Sequence, residues 1–90
     1  MKISILISSY NKSSYLDKCI QSCLDQTHKN FEIILLDNYS TDDTNLILRK
    51  YEKKLIIKKE ERVSSYSAVN QIDLLKKALS ISSGDIICLL

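Results

Sequence analysis

Apolar residues along this chain fall into short runs separated by polar stretches. Ile3, Ile5, Leu6 and Ile7 form a β-branched-rich run that stops at Ser8, Ser9, Tyr10, Asn11 and Lys12, the pattern of a first strand entering a loop. Ser14, with Asp17 three residues later, forms a helix-capping pair. Leu16, Cys19, Ile20, Cys23 and Leu24 then recur at helical spacing. They predict a helix of about three turns, running to about Gln26 with this stripe against the core.

Residues 31–36 are apolar except for Glu32 and end at Asp37, Asn38, Tyr39 and Ser40, residues that favour turns and caps. Such continuous hydrophobicity predicts a strand buried on both faces. Ser40 and Asp43 make a second capping pair, and the acids at 42 and 43 suit the positive end of a helix dipole. A helix is predicted from Asp42 to about Lys53, with Ile47, Leu48 and Tyr51 inward. Leu55, Ile56 and Ile57 give a third strand, and residues 58–62, of mixed sign, read as a solvated loop. Ala68, Ile72, Leu75 and Leu79 mark a third helix, ended near Gly84 by the glycine preference at helix C-termini. Residues 86–90 form a fourth strand.

Strands alternating with helices imply an α/β fold, a Rossmann-like parallel sheet with right-handed crossovers. In such sheets ligands sit beyond the carboxyl ends of the strands, which directs attention to residues 8–11 and 37–40. The apolar run up to Leu90 ends without a turn or polar tail. A terminal carboxylate against a sheet is costly to desolvate, so the expectation is a chain cut within a larger domain.

Composition narrows the functional classes. The net charge of +2 over 90 residues makes no broad basic field, so nucleic acid is not an expected partner. The longest apolar run, residues 86–90, is far short of the roughly 20 residues of a membrane span, and a cytoplasmic location is expected. Three cysteines cannot all pair within one chain, which fits a reducing compartment. Cys19 and Cys23 share a stripe with Leu16, Ile20 and Leu24 and read as small buried hydrophobes rather than metal ligands. One glycine, Gly84, is too few for either the Walker loop or the dinucleotide fingerprint.

Residues 3–11, Ile-Ser-Ile-Leu-Ile-Ser-Ser-Tyr-Asn, resemble the opening strand and loop of family 2 glycosyltransferases, which have the GT-A fold. Residues 31–42 resemble that family's second strand and acidic turn. Gln26 and Thr27 match a common pair, and residues 83–87 resemble the run toward its Asp-x-Asp metal motif. The resemblance implies strand order 3-2-1-4 and makes residues 1–90 the N-terminal nucleotide-sugar-binding part of such a domain. It implies that Tyr10 packs on the base, with Ser8 near the uracil edge and Asn11 in the same loop. Asp37 and Asn38 would meet the base N3–H and the ribose. Uracil presents one donor between two acceptors, which a carboxylate or amide oxygen beside backbone groups can read, and an aromatic ring stacks on any base.

The sequence also departs from the family. A second aspartate is usual where Asn38 stands, a glycine is frequent at Tyr39, and the third helix's common Arg-Asn pair falls, counting back from Gly84, on Leu75 and Lys76. An asparagine oxygen still accepts N3–H but without charge assistance. Lys76 or Lys77 is the candidate to face the diphosphate.

The implied reaction transfers sugar from a nucleotide-activated donor, a UDP-sugar, to a hydroxyl of a carbohydrate or lipid-linked acceptor, with inversion, in polysaccharide biosynthesis. The divalent Mg or Mn ion, its ligands and the catalytic base would belong to sequence beyond Leu90, leaving this segment inactive alone. The resemblance allows a place at the inner face of a membrane. An apolar fourth strand exposed as an edge would template pairing, a route to a homo-oligomer. Two other classes stand beside this reading. A non-catalytic α/β protein-interaction or nucleotide-binding module is compatible with the fold. A phosphotransfer receiver would need acids after the first strand, where Ser8 and Ser9 stand.

Overall fold

The computed structural model, which describes residues 1–90, alternates strand and helix throughout: β1 (Ile3–Ser9), α1 (Ser13–Leu24), β2 (Phe31–Asp37), α2 (Thr44–Tyr51), β3 (Ile56–Lys59), α3 (Ser67–Ile81) and β4 (Ile86–Leu89). The four strands form one parallel sheet in the order β3-β2-β1-β4. β1 pairs with β2 from Ile3 opposite Phe31 to Ser9 opposite Asp37, so both strands deliver their following loops at the same level.

Successive side chains of a strand leave on opposite faces, and this sorts the core into two layers. Ile5 and Ile7 of β1 and Ile33 and Leu35 of β2 pack with Leu16, Ile20 and Cys23 of α1 and Leu48 and Tyr51 of α2. Leu6, Ile34 and Leu36 face the other way, onto Leu74 and Ala78 of α3. Cys23 is buried in the first layer with Cys19 packed against it, and burial pushes the Cys23 thiol up to about 11. Both therefore act as small hydrophobes.

The helix termini correct the expected caps. Neither Ser14 nor Ser40 caps its helix: α1 begins after Lys12 and α2 after Asp43, neither of which makes a side-chain cap bond, and Ser40 Oγ is engaged by Asn11 N and Asp37. Asp42 does this work for both helices. Its Oδ1 accepts from Thr44 N at 3.0 Å and from the Thr44 hydroxyl, and its Oδ2 accepts from Ser13 N at 3.2 Å. One carboxylate thus meets the amide-rich starts of two helices. Asp17, expected to cap, instead accepts from Tyr51 Oη and pairs with Lys50 at 3.0 Å, tying α1 to α2.

The third helix buries a different stripe from the one its apolar residues predicted. Asn70, Leu74 and Ala78 are buried, Leu75 partly so, whereas Ala68 is exposed and Ile72 and Leu79 are 56% and 51% exposed. The face toward β1 and β2 needs the small Ala78 for close approach, and the short edge strand β4 does not cover the Ile72 and Leu79 side. β4 itself is exposed on all four residues.

Gly84 does not terminate α3. The helix stops at Ile81, and no glycine has positive φ. The glycine is needed for space: an added Cβ would stand 2.5 Å from Ser4 Oγ and 2.7 Å from Ser4 N. Gly84 N donates to Ser4 Oγ at 2.8 Å, and that hydroxyl donates to Glu32 Oε2 at 2.5 Å. Ser83 N adds a 2.7 Å bond to Glu32, and Lys2 lies 3.4 Å away. Burial pushes the Glu32 carboxyl up, but the bonds from Ser4 and Ser83 and the Lys2 charge outweigh it and hold the group at about 2.

Because the folded value lies below the ordinary 4.5, Glu32 stabilises the fold fully above that pH, and the contribution fades as pH falls toward 2. Urea midpoints of the native chain should therefore drop between about pH 5 and about pH 2.5 more steeply than those of Glu32→Gln. Parallel curves for the two proteins would remove Glu32 from the acid response.

Candidate functional site

The carboxyl ends of β1 and β2 open onto a cleft of about 140 Å³, lined among others by Ser8, Ser9, Tyr10, Lys12, Asn38 and Arg62, with Asn70 and Leu74 of α3 at its back. This is smaller than the roughly 300–1,000 Å³ of a complete small-molecule site and suits one ring rather than a whole nucleotide. Two cations, Lys12 and Arg62, are among the lining residues, and no carboxylate is. Ser9 Oγ, on a residue 2% exposed, has no hydrogen-bond partner. A buried hydroxyl in that state is expected to meet a ligand or water.

Asp37, at the end of β2, is fully buried. Its Oδ1 accepts from Ser40 Oγ at 2.5 Å, and its Oδ2 accepts from Ser40 N at 2.8 Å and pairs with Lys59 Nζ at 3.1 Å. The carboxylate is thus committed to the protein and does not line the cleft. Asn38 is 3% exposed and does line it. Its amide Nδ2 donates to the Glu60 carbonyl at 2.9 Å, which fixes the amide plane, while Oδ1 accepts no bond within the protein.

Asn11 stands behind the cleft. Its Oδ1 accepts from Thr41 N at 2.7 Å and Asp42 N at 3.4 Å, and its own N–H donates to Ser40 Oγ at 2.9 Å. The first loop is thereby stapled to the second. Asn11 and Tyr39 have φ of 52° and 53°, a left-handed conformation that asparagine tolerates and tyrosine does not favour.

Of the five residues singled out from the sequence, Ser8, Tyr10 and Asn38 come together at the cleft, and Asn11 and Asp37 hold the loops that present them. Lys77 is engaged by Asp73 at 2.9 Å and Glu60 at 3.5 Å, and Lys76 is exposed; neither lines the cleft.

The segment read as solvated loop builds much of the site. Lys58 and Lys59 belong to β3, which runs two residues further than expected, because the parallel register places Lys59 opposite Asp37. Lys59, half-buried there, neutralises that carboxylate. The Arg62 guanidinium lies 4.5 Å from the centroid of the Tyr10 ring. Asn70 anchors the same segment: its Oδ1 accepts from Val63 N at 2.8 Å and Ser64 N at 3.0 Å, and its Nδ2 donates to Ser64 O at 2.8 Å. An asparagine four and eight residues before Leu74 and Ala78 on one helical stripe was the sequence signal for this role.

The family model for glycosyl transferase family 2 matches residues 4–90. The chain belongs to that family. Among relatives, a glycosyltransferase of Rickettsia conorii is 37% identical over 83 residues, 92% of this chain and 13% of that protein. WfaP of Escherichia coli, a UDP-Glc:alpha-D-GlcNAc-diphosphoundecaprenol beta-1,3-glucosyltransferase, is 44% identical over 55 residues, 61% of this chain and 22% of WfaP. The crystal structure of S. aureus TarS in complex with UDP-GlcNAc superposes with a TM-score of 0.73 at 25% identity, covering all of this chain and 26% of the TarS chain. The 90 residues span between 12% and 22% of the length of the curated relatives they match.

Membership in family 2 gives the departures a physical meaning. The left-handed φ at Tyr39 is the condition under which glycine is preferred, and the Tyr39 side chain is 56% exposed, so little packing holds the tyrosine. Tyr39→Gly should raise unfolding stability by about 0.5–1 kcal/mol, read from urea midpoints. Asn38→Asp, by contrast, replaces the amide donor with an oxygen facing the Glu60 carbonyl. It should lower stability by about 1–3 kcal/mol in the same measurement.

Proposed function

We propose that residues 1–90 are the donor-nucleotide-binding part of a glycosyltransferase that moves a sugar from a UDP-sugar to an acceptor hydroxyl, with inversion at the sugar carbon. The observation that carries the reading is the Asn38 amide. With Nδ2 held by the Glu60 carbonyl and Oδ1 unpartnered beside Tyr10, the cleft offers a fixed acceptor and so asks for a base whose pairing edge carries an N–H. Uracil has one at N3, whereas cytosine has only a lone pair at the same position. Tyr10 supplies the ring for stacking, Ser8 and the orphan Ser9 hydroxyl supply polar groups along the base edge, and Lys12 and Arg62 supply charge for a diphosphate. The match to TarS, solved with UDP-GlcNAc, supports the same donor class.

The chemistry of transfer asks for a carboxylate base on the acceptor hydroxyl and for charge neutralisation at the departing nucleoside diphosphate. In this chain no group of three or more His, Cys, Asp or Glu residues stands together, and Asp37 is committed to Ser40 and Lys59. These residues therefore do not form a divalent-metal site. The steps this chain's own residues perform are binding and orientation of the donor: the base is fixed by Asn38 and Tyr10, and the loops are held rigid by Asn11, Asp37 and Asp42. No helix is long and apolar enough to cross a membrane. WfaP acts on a diphosphoundecaprenol-linked sugar by its name, and a lipid-linked acceptor at the cytoplasmic face of a membrane is the setting proposed for this protein, with polysaccharide assembly as its purpose.

Titration of the isotope-labelled protein with UDP should shift the NMR signals of Ser8, Tyr10, Asn38 and Asn70 before others, and CDP should bind more weakly by roughly tenfold, the loss of one bond to a fixed acceptor. Equal affinity for UDP and CDP, or shifts that leave these residues silent, would overturn the assignment.

A further inference from the structure

Arg62 lies over the ring that the proposed function gives to the base. Its guanidinium is 4.5 Å from the Tyr10 centroid, and it makes no hydrogen bond or ion pair within the protein although it carries five N–H donors. The backbone on either side is pinned. The Glu60 carbonyl is held by Asn38, and the Val63 and Ser64 amides are held by Asn70. The segment cannot carry the arginine away as a unit, so any movement belongs to the Arg62 side chain.

Resting on the donor-binding reading, we infer that Arg62 is an exchange residue: it covers Tyr10 when the cleft is empty and gives up the ring to the base, taking the donor's diphosphate as its new partner. The cation–π contact is the weaker of the two ring contacts, since an exposed arginine over a ring contributes less than a stacked base. The planar guanidinium fork suits phosphate oxygens in a way the ring does not use. No carboxylate lines the cleft to hold the arginine elsewhere. The same charge that screens the ring from neutral compounds therefore rewards a ligand bearing phosphates, and the cleft selects nucleotides over free nucleosides.

Uridine and UDP separate the two halves of this exchange. In Arg62→Gln, uridine should bind about two- to fivefold more tightly because the ring is freed, while UDP should bind roughly tenfold more weakly because the phosphate partner is lost. Arg62→Lys, which keeps the charge without the plane, should retain most of the UDP affinity and gain for uridine. If uridine and UDP shift in the same direction in Arg62→Gln, or neither shifts, the exchange is overturned while the donor site stands. If UDP leaves Ser8, Tyr10 and Asn38 unmoved in the parent protein, the donor-binding reading falls and this inference with it.

Discussion

A carboxylate with no access to water organises this end of the molecule. Asp37 ends the central strand β2 with its side chain fully buried, and an unpaired charge there would cost several kcal/mol. Ser40 turns back to donate twice, and Lys59 is drawn to the end of β3 to balance the charge. Ser40 Oγ also accepts from Asn11, and Asn11 in turn holds Thr41 and Asp42. Asp42 then meets the first amides of two helices. The polar chain runs from one buried acid to both helix starts.

Two loops with different tasks follow from this arrangement. Their left-handed residues, Asn11 and Tyr39, make the reversals that allow the loops to touch, so local strain is accepted where the strand ends meet. The side chains of Ser8 and Tyr10 are then left to face the cleft on a scaffold that makes no side-chain hydrogen bond to either. Asn38 shares in both tasks, since one end of its amide is fastened to the Glu60 carbonyl and the other is free.

The regular elements were readable in the sequence wherever a hydrophobic period had one cause. Continuous apolar runs gave β1 and β2 because both of their faces are covered, and the stripe of α1 was plain because it packs on a full sheet face. The strand order came from resemblance to the family and not from periodicity, which does not specify neighbours. The α3 stripe was misread because the face that packs on the central strands is the Asn70, Leu74 and Ala78 stripe: Ile72 and Leu79 are apolar yet uncovered, while Asn70 is polar yet buried. The charged stretch after Ile57 was misread for the opposite reason, since the partner that draws Lys59 into the strand is Asp37, far away in the chain. Local sequence records propensity, and these positions are decided by long-range charge pairing and by which face happens to be covered.

The strand order carries a consequence for how the chain acquires its shape. β1 is the first strand in the sequence and the only one besides β2 with neighbours on both sides, and its partner on one side is β4, with Ile3 opposite Ile86. On a ribosome the β1–β2–β3 half can assemble early, but one row of β1 amides and carbonyls stays bare until nearly the whole segment has been synthesised. Closing so long a loop adds little entropy cost per residue, yet it delays completion and leaves a hydrogen-bonding edge open to neighbouring nascent chains in the interval. The Gly84 contact with Ser4, made where β4 finally arrives, is thus the latch that ends that exposure.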